Sequence, residues 1–240
     1  MSAQQIHRRV WEALEVRSCP KLRELVLFCA KLSCDSAAAL VSALNSGALS
    51  RLRHIDLHRT RWGDYGDSYG GKYGYDNGSC TAVVNVLNAM ASSRPDLRHL
   101  NAGDFEQAYL LWHHYLPYIG SMGEQADTAI FDALREEKWP KLEKLKIEGH
   151  NIVNNECVFR LAGILEGGGG GNLRSLEVYG VPDDESVHVL GRVLHEGACP
   201  KLRSLYVHLR EEGARATEER SCVEEVRALL RQKGIRVNRQ

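Results

Sequence analysis

The sequence lacks net charge: 31 Lys and Arg residues stand against 31 Asp and Glu. A general nucleic-acid binder needs a basic face, so this balance argues against such a partner while leaving room for a local patch. Long apolar runs are also missing. No stretch of 18 apolar residues occurs, and the opening MSAQQIHRRVWEALEV has no signal-peptide core. The expectation is a cytoplasmic protein without membrane association. Metal and disulfide spacings are absent too. The seven cysteines (Cys19, Cys29, Cys34, Cys80, Cys157, Cys199 and Cys222) are odd in number and form no CxxC or CxH pattern. Buried thiols in a reducing compartment are expected, with no disulfide framework and no structural zinc. The 43% hydrophobic and 26% charged content is that of a globular chain able to bury a core.

What the sequence does have is a repeat. CPKLRELVL (19–27) recurs as LSRLRHIDL (49–57), RPDLRHLNA (94–102), WPKLEKLKI (139–147), GNLRSLEV (171–178) and CPKLRSLYV (199–207). The lead leucines are Leu22, Leu52, Leu97, Leu142, Leu173 and Leu202, at spacings of 30, 45, 45, 31 and 29. A final GIRV puts Ile235 and Val237 thirty residues after Leu205 and Val207. Each unit opens with apolar residues two apart, as in a strand with one buried face. It continues at helical spacing: AAALVSALNSG places Ala37, Leu40, Val41 and Leu44 on one side. Strand then helix at a constant period predicts parallel strands with helices on one side. In this frame GGGGG (167–171) falls at the helix-to-strand turn and reads as a helix stop with a loose turn.

On these motifs the chain resembles leucine-rich repeat proteins, in unit length and helix content the ribonuclease-inhibitor-like subtype. The resemblance covers about residues 19 to 237. Ala102 departs from it where Leu or Val is expected, and the usual Asn after the strand is missing. The resemblance implies one α/β solenoid domain over 1–240, with a curved parallel sheet on the concave side and helices on the convex side. Residues 1–18 would form an N-terminal cap helix, with Ile6, Val10, Trp11 and Leu14 inward. Six strand-helix units would begin within 19–207, and 208–240 would supply the last helix and a cap strand.

Two units carry about fifteen extra residues, TRWGDYGDSYGGKYGYDNG (60–78) and GDFEQAYLLWHHYLPYIGSMGE (103–124). Both inserts fall between strand and helix in adjacent units, and hold 10 of the 17 aromatics. These are Trp62, Tyr65, Tyr69, Tyr73, Tyr75, Phe105, Tyr109, Trp112, Tyr115 and Tyr118. Insertions in repeat proteins map to one face, and Tyr, Trp and Gly suit adaptable recognition loops. The second insert has helical spacing, with Asp104 placed to cap a short helix and Pro117 to end it. Two readings stand side by side: an exposed recognition lip, or aromatics folded back on the solenoid edge. Asp64, Asp67 and Asp76 do not match a calcium loop, and the adjacent His113 and His114 point different ways on a helix.

Strand alternation exposes three rows of side chains. The first holds Glu24, His54, His99, Lys144, Ser175 and Ser204; the second Val26, Asp56, Asn101, Lys146, Glu177 and Tyr206. The third holds Phe28, His58, Gly103, Glu148, Tyr179 and His208. His54 and Asp56 should neighbour His99 and Asn101. The expected function is a non-catalytic scaffold that binds a protein or peptide, without cofactor or metal. Its expected contacts are Trp62, Tyr65, Tyr69, Tyr73, Tyr75, Trp112, Tyr115, His54, Asp56, His99, Tyr179, Tyr206 and His208. The alternatives are a small-molecule or metal-dependent enzyme centred on His54, Asp56 and His99, or a GTPase regulator of the kind the resemblance includes.

Overall fold

The strand-helix alternation is what the computed structural model of the chain contains. It describes residues 19, 21–27, 30–58, 60–62, 78–94, 96–102, 120–147, 155–181, 184–209 and 219–238. In chain order the elements are β1 (Glu24–Val26), β2 (Lys31–Leu32), α1 (Cys34–Asn45), β3 (His54–Asp56), β4 (Arg61–Trp62) and α2 (Gly78–Ser93). Then come β5 (His99–Ala102), α3 (Gly120–Arg135), β6 (Lys144–Ile147), α4 (Asn155–Glu166) and β7 (Ser175–Val181). Last are α5 (Asp184–Glu196), β8 (Ser204–Leu209), α6 (Glu219–Arg231) and β9 (Arg236–Asn238). Seven strands form one parallel sheet in the order β1-β3-β5-β6-β7-β8-β9, so each new strand adds beside the last. Among the described residues no helix is long and apolar enough to cross a membrane. The cap helix expected at 1–18 lies outside them.

One face of the sheet is buried by the helices. The inward columns run through Ile55, Leu100, Leu145, Leu176 and Leu205, and through Leu57, Ala102, Ile147, Val178 and Val207. Ala102 holds the place of a larger residue and is still fully buried. The lead leucines from Leu52 to Leu202 form a third buried column. On the edge strand, Leu25 is half-buried, as is Leu22 just before it. Helix α1 starts where the Ser33 hydroxyl accepts the Ser36 amide at 3.1 Å, satisfying one of the amides that a helix start leaves open. Its inward face is Ala37, Leu40, Ala43 and Leu44, with Val41 half-buried beside it.

Every unit enters its strand through the same turn. The amide of each lead leucine donates to the carbonyl three residues earlier, from Cys19, Leu49, Arg94, Trp139, Gly170 and Cys199, at 2.8–3.1 Å. Leu49, Trp139 and Cys199 fill the space below that turn. Burial pushes the Cys199 thiol up to about 12, so it stays a protonated, inert hydrophobe. Buried Arg94 takes the place in unit three, its guanidinium donating to the carbonyls of Leu44 and Ser93. Unit five has Gly170 there, and the glycine run is tight rather than loose. A Cβ on Gly169 would lie 2.6 Å from Ile164 Cγ2, and one on Gly170 2.8 Å from Leu173 Cδ1. Gly168 and Gly170 also have φ of 95° and 79°, backbone that favours glycine.

Three boundaries differ from the sequence reading. Arg61–Trp62 is not insert: it pairs in parallel with Lys31–Leu32 as a second, two-stranded sheet, thirty residues on. The extra segment of unit two is therefore residues 63–77. Helix α3 starts at Gly120, so 120–124 belongs to it rather than to the second insert. At the far end Val237 pairs with Leu205, not with Val207. A slip of two residues preserves which side chains face inward, so Ile235 and Val237 remain buried.

Candidate functional site

The side chains on the face opposite the helices follow from register. His54 pairs with His99, Asp56 with Asn101, Asn101 with Lys146, Lys146 with Glu177, Glu177 with Tyr206 and Tyr179 with His208. Parallel strands lie about 4.8 Å apart, so each row brings flat rings on neighbouring strands into stacking range.

Two stacks result. The His54 and His99 rings lie 4.0 Å apart at 18°. Tyr179 and His208 lie 3.6 Å apart at 9°. Lys146 Nζ sits 4.6 Å from the centre of the Tyr179 ring, a cation–π contact. The Tyr179 hydroxyl lies 3.4 Å from Glu177 Oε2. A cation, a phenol and an imidazole thus line up across β6, β7 and β8, and half-buried Tyr206 stands on β8 beside them. Strands β7 and β8 run further than the others, with a register shift between Tyr179 and Val181, and this extra length provides the third row.

The structure brings His54 and His99 together but turns Asp56 to another task. Its Oδ1 accepts the His58 amide at 2.8 Å, closing the turn after β3. Asn101 Oδ1 is buried and accepts no hydrogen bond among the described residues. Among those residues no three His, Cys, Asp or Glu side chains are grouped to hold a metal.

Burial holds the His99 pKa below the ordinary histidine value of 6.5, with the stacked His54 and then Lys144 adding to the effect against opposition from Glu143. A base whose pKa is lowered on folding binds fewer protons in the folded state. Its stabilising contribution is full above the unfolded pKa and is lost as pH falls toward the folded one. We expect His99→Gln to flatten the stability profile just below pH 6.5, and an NMR titration of the parent to place His99 below free histidine. An unshifted titration would show that the ring is solvated.

The other expected contacts divide in two. Trp62 is only 2% exposed and belongs to the core. Its ring lies inward because Arg61–Trp62 is a paired strand in the repeat, so it is not a free face for a partner. Tyr65, Tyr69, Tyr73, Tyr75, Trp112 and Tyr115 lie outside the described residues. Lys146 and Asn101 stand on the exposed rows but not among the expected contacts. Register pointed to them, but the ring that Lys146 covers is two residues further along the neighbouring strand. No protein-family model matches the chain, and no curated protein matches it.

Proposed function

We propose that the chain is a leucine-rich repeat solenoid of the ribonuclease-inhibitor-like type and acts as a non-catalytic protein-interaction scaffold. The supporting observation is the Lys146–Tyr179–His208 stack beside Tyr206 on the sheet face opposite the helices. Stacked, half-buried aromatics lose little conformational freedom on binding, and such groups anchor interfaces. Parallel strands and helices repeating every 29 to 31 residues outside the two long units support the repeat assignment. The partner is a protein or peptide that lays apolar and hydrogen-bonding groups across β6 to β8, with the tyrosines of the two inserts as added contacts.

The experiment is affinity capture on the immobilised chain, followed by direct titration of the recovered protein. Combined Tyr179→Ala, Tyr206→Ala and His208→Ala substitution should weaken binding at least about a hundredfold, as for removal of anchor residues, with the melting temperature little changed. Equal affinity of parent and variant would refute the assignment of this face.

A further inference from the structure

We infer that the strand-entry rim of the sheet is a docking surface for an acidic protein segment, distinct from the face proposed above. The residues on either side of each lead leucine form two tiers. The first is Lys21, Arg51, Asp96, Lys141, Asn172 and Lys201; the second is Arg23, Arg53, Arg98, Glu143, Arg174 and Arg203. Nine cations and two carboxylates give this rim a net charge of +7, so the rest of a neutral chain carries −7.

Main-chain hydrogen bonds fix the second tier in line. The amide of Arg53 donates to the carbonyl of Arg23, Arg98 to Arg53, Glu143 to Arg98, Arg174 to Glu143 and Arg203 to Arg174, at 2.7–2.9 Å. At about 4.8 Å per strand the row is roughly 24 Å long, the length of about seven extended residues. This ladder uses only the backbone of the second tier, so the side chains at its two ends are available. Lys21, Arg23, Arg51, Arg53, Arg174, Lys201 and Arg203 are all exposed.

The two acids neutralise the middle of the row. Asp96 pairs with Lys141, and Glu143 lies 3.0 Å from Arg98 and 3.9 Å from Arg174. Among the described residues no carboxylate is within ion-pair distance of Lys21, Arg23, Arg51 or Arg53 at one end, or of Lys201 or Arg203 at the other. Between the ends Arg98, Lys141, Glu143, Asn172, Arg174 and Lys201 line a shallow groove. Guanidinium groups offer forked donors that match carboxylates. Single-stranded nucleic acid would also require exposed aromatic platforms, and these two tiers contain no aromatic residue. The chemistry therefore fits an acidic peptide, held at two basic ends and passing over a neutral middle.

The test is fluorescence anisotropy with labelled short poly-glutamate in low salt, with oligo-uridine and anionic lipid vesicles as competing probes. Poly-glutamate should bind, weaken as salt rises, and lose at least about tenfold in affinity on combined Arg23→Gln, Arg53→Gln, Arg174→Gln and Arg203→Gln substitution, the sum of several weak exposed pairs. If that variant melts lower than the parent, Lys21→Gln with Lys201→Gln decides, with a loss of about threefold expected on the same basis. The Tyr179→Ala, Tyr206→Ala, His208→Ala variant should bind poly-glutamate as the parent does, which separates this surface from the sheet face. No binding, binding indifferent to the rim substitutions, or tighter binding of oligo-uridine or vesicles would overturn the proposal.

Discussion

Trp62→Ala should lower stability by about 3–5 kcal/mol, the range for truncating a large buried aromatic. The indole is 2% exposed, among the largest fully enclosed side chains described. It sits on β4, which pairs with β2 and packs against α2, while the equivalent residue of unit one, Leu32, is fully buried. Removing the ring leaves a cavity between the short second sheet and the helix layer, and neighbours on a hydrogen-bonded strand have little freedom to collapse into it. At roughly 2–4 °C per kcal/mol for a domain of this size, the melting temperature should fall by about 6–20 °C. Chemical denaturation of parent and variant measures this directly. A loss below about 1 kcal/mol would mean that the indole is not packed as described.

Trp62 also shows where sequence legibility ends. The repeat was readable because its signal is redundant: six units place leucines at matching positions, so one departure such as Ala102 does not disturb the register. The pairing of His54 with His99, and of Tyr179 with His208, follows from that register. What the register cannot state is where a local motif begins. By composition TRW belongs with the glycine- and tyrosine-rich segment it touches, yet Arg61–Trp62 repeats Lys31–Leu32 thirty residues on. A two-residue strand has too few side chains to show a period, so its partner defines it. The same limit applied to the glycine run, whose tightness depends on Ile164 and Leu173 pressing on Gly169 and Gly170.

Side-chain direction was the other gap. His54, Asp56 and His99 are close in sequence register, but a carboxylate one row along has a nearer amide to accept, that of His58. The rim arginines were visible throughout, as the residue after the lead leucine in five of six units. Total composition concealed them, because the opposite charge is spread over the rest of the chain. Net charge describes long-range attraction by the whole molecule, whereas a docking surface depends on which charges the fold places side by side.

Leu145→Ala should cost about 2–5 kcal/mol, and the same change at Leu25 distinctly less. Both occupy the central inward position of a strand. Leu145 lies on β6, flanked in register by Leu100 and Leu176, and is 1% exposed. Leu25 is on the edge strand β1 and only half-buried. In a linear stack each unit gains its core from its two neighbours, so truncation in the middle weakens two interfaces and truncation at the edge mainly one. The contact also makes a second outcome specific. Leu100→Ala and Leu145→Ala share one cavity and should not add, with a coupling of about 0.5–3 kcal/mol in a double-mutant cycle. Urea denaturation of the three single variants and the double variant supplies every term. Equal costs at Leu25 and Leu145, together with strict additivity of Leu100 and Leu145, would contradict a core built by neighbouring units and would remove the basis for treating the exposed rows as one continuous surface.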